Sequence, residues 1–174
     1  MKNKRLMGII GLIAAAVIGT AIYSATAGKD NKAATSNEKA KVGVLQLVSH
    51  PSLDLIYKGI QDGLAEEGYD KDKVDIDFLN AEGDQNKVAT MSKQLVDKDN
   101  QVLIGIATPS AQGLASATKD KPIVMGAITD PVGAKLVKDL KKPGGNITGV
   151  SDHNPTEQQL KLIKELTPNV KTIG

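Results

Sequence analysis

Four short clusters concentrate the side chains that could do chemistry: Ser49-His50-Pro51-Ser52, Thr108-Pro109-Ser110, Thr129-Asp130-Pro131 and Ser151-Asp152-His153. The first three each join a hydroxyl or carboxylate to a proline that fixes the turn. Taken singly, each is a helix cap or a turn, and Ser151-Asp152-His153 is a hinge. Taken together they offer hydroxyls, the free N–H groups of helix starts, and the carboxylates of Asp130 and Asp152 as acceptors. That is a set for holding a polar ligand rather than for breaking bonds. The chain has no G-x-S-x-G, G-x-x-x-x-G-K-[ST] or G-x-G-x-x-G, so nucleophile-elbow hydrolases, nucleotide hydrolases and dinucleotide enzymes all lack their signature. Where a phospho-acceptor domain would end its third strand in aspartate, this chain has Thr108. Cysteine is absent and the two histidines, His50 and His153, have no ligand spacing, so neither a metal site nor a cofactor is expected.

For these clusters to meet, the segments before them must be strands of one sheet running the same way. The organising stretch is Val102–Gly113, VLIGIATPSAQG, apolar on nearly every residue until it reaches Thr108-Pro109. Such a run suits a strand buried on both faces, with Thr108 as N-cap of the next helix and proline at its first position. At that junction the free amides of the helix around Ser110 and Ala111 face the carboxyl edge of the sheet, where α/β folds bind ligands. Arg5 is the only arginine, so the folded part has no guanidinium to clamp an anion.

The rest of the chain alternates short β-rich runs with amphipathic segments, which predicts an α/β fold, a doubly wound parallel sheet with helices on both faces. Strands are expected at Val42–Val48, Val74–Leu79, Val102–Ile106, Pro122–Ala127 and Ile147–Val150. The alternation of Val74, Ile76 and Phe78 with Asp75 and Asp77 puts the second strand near a sheet edge. Helices are expected over Pro51–Glu67, with Leu53, Ile56, Ile60 and Leu64 inward, and from an Asp84 cap to Asp99, with Val88, Met91 and Leu95 inward. Two more follow: one after Thr108 to Lys119, and a short one over Val132–Leu140. Asn154-Pro155-Thr156-Glu157 reads as a capping box opening a helix to Leu166, and Val170–Ile173 as the start of a further strand.

Of the 22 Lys and Arg, three lie before residue 6, leaving 19 against 20 Asp and Glu. A nucleic-acid partner is not indicated by that balance, since phosphate binding needs clustered basic residues. Residues 1–28 join a basic start (Lys2, Lys4, Arg5) to an uncharged run of 23 residues, Leu6–Gly28, that contains the small-x-small site Ala25-Thr26-Ala27. This is an export signal, either cleaved or kept as a membrane anchor. Residues 29–40 are small, polar and charged, a disordered tether. The domain then spans 41–151.

The ordered segments KVGVLQLVSHPSLDLIYKGIQDGLAEEGY, LIGIATPSAQ, PIVMGAITDPVGAKLV and KKPGGNITGVSD, followed by QQLKLIKELTPNVKTIG, resemble the substrate-binding proteins of ABC importers, in the family typified by the streptococcal tryptophan-binding protein. The resemblance covers Lys41–Gly174. It implies a type I periplasmic-binding-protein-like architecture, two α/β lobes joined by a hinge with an aromatic or related amino acid in the cleft. Gly149–Asp152 would be the first hinge crossing, and residues 152–174 the crossing and first helix-strand unit of a second lobe otherwise missing; the expectation is a fragment or truncated product, the alternative being that this last unit folds back onto the first lobe. The lipid-accepting cysteine common among Gram-positive relatives is absent.

A zwitterion needs donors for its carboxylate and an anion for its ammonium. The resemblance and the residues together assign the first to the helix start at Ser110-Ala111 with the Thr108 and Ser110 hydroxyls, and the second to Asp130 or Asp152. Ser49 and His50 border the side-chain end, while Tyr57 is core. The implied protein is no enzyme. It is a monomer whose partners are its ligand, an ABC permease and an ATPase, at the outer face of the cytoplasmic membrane or secreted. Two other classes use the same lobe: an extracytoplasmic sensor coupled to a signalling protein, and an enzyme of flavodoxin-like topology. Adjacent genes for a permease and ATPase, or for a kinase, separate the first two.

Overall fold

The computed structural model describes residues 39–173. The expected signal or anchor at 1–28 and nearly all of the 29–40 tether lie outside the described residues. Five strands, β1 (Ala40–Gln46), β2 (Val74–Asn80), β3 (Val102–Ile106), β4 (Ile123–Ile128) and β5 (Ile147–Ser151), form one sheet in the order β2-β1-β3-β4-β5. Every pairing is parallel. The helices are α1 (Pro51–Glu66), α2 (Gln85–Asp97), α3 (Thr108–Ala117) and α4 (Thr156–Leu166).

The central place of β3 follows from its sequence, since all five of its residues are buried. Strand alternation sends its side chains to two different cores. On one face Ile104 and Ile106 join Val42 and Val44 of β1 beneath Leu53, Ile56, Tyr57 and Ile60 of α1. On the other, Leu103 joins Leu45, Ile123 and Met125 beneath Val88 and Leu95 of α2 and Ala111 and Leu114 of α3. Two glycines set how closely this second layer sits. A Cβ on Gly105 would lie 2.7 Å from the Ala111 backbone, and one on Gly113 would lie 2.6 Å from a Val88 methyl. Both distances are closer than carbon atoms tolerate, so α3 rests directly on β3 and on α2 because these side chains are missing.

β2 lies at an edge, as its alternation predicts. Asp84 caps α2, its Oδ1 accepting from the amides of Asn86 (2.7 Å) and Lys87 (3.3 Å). Strand and helix ends shift by one or two residues. β1 starts at Ala40 and stops at Gln46, where Ala81 donates to the Gln46 carbonyl and Gly83 to that of Leu47.

Four local expectations are corrected. Thr108 is not a cap: Ala107 holds the N-cap position at φ 72° and Thr108 is already the first helical residue, with no side-chain cap. Residues 132–140 form no helix: a turn over 131–135 gives way to irregular chain. Lys135 turns left-handed at φ 58°, and the amides of Leu136 and Val137 both close onto the Pro131 carbonyl, which drops two adjacent apolar side chains into the core. The capping box does not form, because the helix begins at Thr156 with Pro155 as its N-cap, and proline has no N–H for Glu157 to meet. Val170–Ile173 forms no strand. A strand needs a ladder partner, and among the described residues these have none.

Candidate functional site

The strand order reverses between β1 and β3: β1 hands the chain outward to β2 and β3 hands it the other way to β4. At such a reversal the loops leaving neighbouring strands part to opposite faces and open a crevice at the carboxyl edge. Its two banks are the β1–α1 loop, residues 47–50, and the start of α3.

The first bank is tied down on three sides. Asn80 at the end of β2 donates from Nδ2 to Ser49 Oγ at 2.8 Å. His50 caps α1, its Nδ1 accepting from the Ser52 amide at 3.2 Å. Beneath the loop, the Gln46 side-chain amide donates to the Val48 carbonyl at 2.9 Å and to Asp54 Oδ1 at 2.7 Å. Ser49 and His50 stay exposed.

The second bank begins at Ala107, whose amide reaches across to the Gly126 carbonyl of β4 (3.2 Å). Its left-handed φ of 72° has a counterpart in Ala127 on β4 at φ 57°, where the pairing with β5 slips between Met125 and Ile128. Non-glycine residues in this region carry roughly 1–3 kcal/mol of strain each and gather at ligand sites, and bulges sit beside them. The Ala111 amide is spent on the Ala107 carbonyl (3.2 Å), so Ala111 offers the crevice no N–H. Among the described residues the amides of Thr108 and Ser110 have no partner, as in the first turn of any helix, but Ser110 is buried and only Thr108 is partly exposed. The Ser110 hydroxyl is fully buried with no partner among the described residues.

The remaining expected residues sit further along the edge. Asp130, exposed, turns its Oδ1 back to the Gly133 amide at 2.8 Å, so half of its carboxylate closes a turn. Asp152 follows β5, two strands beyond β3, and is tied through its own amide to the Ile128 carbonyl (3.3 Å). The structure thus gathers Ser49, His50, Thr108 and Ser110 around the reversal and spreads Asp130 and Asp152 outward. Tyr57 is partly buried and packs against the core beneath α1, with its ring 4.3 Å from that of Phe78; burial raises its phenol above the ordinary value. Sequence patterning missed Gln46 and Asn80. Both end a strand at the carboxyl edge, Gln46 buried beneath the β1–α1 loop and Asn80 tied to Ser49, and only the strand order reveals that this loop borders the reversal.

Open grooves of about 590 and 260 Å³ lie along α2 and between α2 and α3. Among the described residues no group of three His, Asp or Glu is placed to hold a metal ion, and no helix is long and apolar enough to cross a membrane.

A family model described as ABC transporter substrate binding protein matches residues 41–174. The chain belongs to that family. It is 42% identical, over its whole length and 52% of the other's, to a tyrosine-binding protein of Clostridioides difficile (strain R20291). Its fold superposes on the ABC domain of Streptococcus pneumoniae solved with L-Trp, at TM-score 0.76 and 77% identity, covering 79% of this chain and 46% of that one. A conserved domain protein of Vibrio cholerae follows, at TM-score 0.75 and 50% identity over 77% and 46% of the two chains. The ligand-free, open form of a C. difficile substrate-binding protein with adhesive properties matches at TM-score 0.69 and 41% identity, over 78% and 46%. The chain therefore spans about half the length of the relatives it matches.

Proposed function

We propose that this protein is the extracytoplasmic solute-binding component of an ABC importer, that its ligand is an aromatic amino acid, and that residues 41–151 form one wall of the ligand cleft. Residues 152–174 lead through the hinge into a second lobe, and lobe closure over the ligand presents the complex to a permease and its ATPase. The observation that supports this reading is the strand-order reversal between β1 and β3 in a member of this family, with the β1–α1 loop of Ser49 and His50 leaving one strand and the start of α3 leaving the other. A helix N-terminus holds a carboxylate without a charged side chain, and the folded chain has no arginine to do it otherwise. The L-Trp bound to the pneumococcal relative and the tyrosine of the C. difficile relative's name support an aromatic side chain.

The chain contains no tryptophan, so the emission of an added indole reports its own binding. Residues 28–174, which contain every described element, are titrated with L-tryptophan, with L-tyrosine as competitor and with L-alanine, a sugar and a divalent cation as controls. Saturable indole binding displaced by tyrosine alone is the expected result. Displacement by the sugar or the cation, or no saturation at all, overturns the reading.

A further inference from the structure

Gln46 occupies a place in β1 where packing alone would favour leucine. It follows Val42 and Val44 in the strand row that faces α1, and it is 0% exposed. A buried amide costs free energy unless each of its groups is hydrogen-bonded. Here both donors are engaged, on the Val48 carbonyl and on Asp54 Oδ1. Two acceptors on one nitrogen fix which end of the amide carries the hydrogens, and its oxygen is left buried without a partner among the described residues. The side chain is thus committed to holding a carboxylate rather than to completing a core.

That carboxylate stands at the crevice. Asp54 lies in the first turn of α1, exposed, with its amide on the His50 carbonyl. Only its Oδ1 has a partner among the described residues. The nearest cation along α1, Lys58, is engaged by Asp62 at 2.7 Å. An amino acid carries both charges on groups bonded to one carbon, so its anion and its cation must be met within one crevice. Asp54 and the start of α3 border the same reversal. Asp130 is half spent on its own turn, and Asp152 is two strands out from β3, about 10 Å at ordinary strand spacing.

We propose that Asp54 is the counter-charge for the ligand's ammonium and that Gln46 is the positioning residue that aims it. This deepens the amino-acid reading and rests on it. The test titrates L-tryptophan and 3-indolepropionate, which lacks the ammonium, into the wild type, Asp54→Asn, Gln46→Leu and the double variant, with thermal unfolding recorded for each. Wild type is expected to prefer tryptophan. Asp54→Asn is expected to weaken tryptophan about tenfold or more, the usual loss for a charge-assisted hydrogen bond, and to leave indolepropionate unchanged. Gln46→Leu should weaken tryptophan too, and the double variant should bind it no worse than Asp54→Asn, since coupled residues are not additive. Equal loss of both probes, or an unchanged tryptophan affinity in Asp54→Asn, overturns the proposal while leaving the amino-acid reading intact. If wild type binds neither probe, the amino-acid reading itself fails. Should Asp54→Asn fail to fold, Asp54→Ser provides the same comparison.

Discussion

Asn80 and Ser49 join the ends of two adjacent strands: the Asn80 Nδ2 donates to Ser49 Oγ at 2.8 Å while its Oδ1 accepts from the Glu82 amide at 2.8 Å. One side chain at the sheet edge therefore closes its own turn and steadies the neighbouring loop, the bank of the crevice that carries His50. Replacing Asn80 by alanine is expected to destabilise the fold by about 1–2 kcal/mol, the net of two hydrogen bonds. Denaturant unfolding of Asn80→Ala, Ser49→Ala and the double variant checks it. A double variant that simply adds the two single losses would show that the pair does not act as a unit.

Gly105 offers a sharper probe of the other bank. A methyl there meets the Ala111 backbone at 2.7 Å, and backbone cannot move aside as a flexible side chain can. Gly105→Ala is expected to lose about 1–3 kcal/mol by overpacking and to displace the start of α3, and hence the amides of Thr108 and Ser110. Unfolding curves give the first effect, and amide chemical shifts over 107–112 the second. Wild-type stability would mean that α3 does not rest on β3 as described.

Much of this fold was legible before the structure, and the reasons are local. The buried run Val102–Ile106, the Asp84 cap and the edge alternation of Val74–Leu79 each follow from spacing within a few residues. The misread segments have right spacing and wrong backbone. Val132, Leu136 and Leu140 recur at helical intervals, yet Lys135 at φ 58° ends the turn and leaves Leu140 63% exposed. The site was legible only in part. Ser49, His50, Thr108 and Ser110 could be assigned to loops at the carboxyl edge because prolines mark their turns, whereas Gln46 looks like one more strand residue until strand order sets β3 beside it.

Tyr57 gives a pH signature. Burial raises its phenol above 10.0, so the folded state retains the proton longer than the unfolded state does. Its contribution is fully present below pH 10 and is lost as pH rises through the folded value. Tyr57→Phe is therefore expected to lose stability less steeply than wild type above pH 10, with matching curves below it. Parallel alkaline limbs would place Tyr57 in water.

α4 has no buried residue, and Leu160, Leu162 and Leu166 on it are 43%, 54% and 74% exposed. A helix with nothing to cover its apolar side stays marginal in water. Its amides are expected to exchange hydrogen far faster than those of β1 and β3 in residues 28–174. Protection equal to the central strands would show a packing partner for α4.

The central claim is that the carboxyl edge between β1 and β3 is the ligand wall, and amide chemical-shift mapping during an L-tryptophan titration of residues 28–174 tests it most directly. One wall leaves much of a small ligand in water, whereas binding sites usually bury about 70–90% of it, so binding near 1 mM is expected, about 4 kcal/mol. The shifts should fall on 46–54 and 107–112 and reach saturation. Shifts confined to the groove between α2 and α3, or none up to tens of millimolar, would contradict the account.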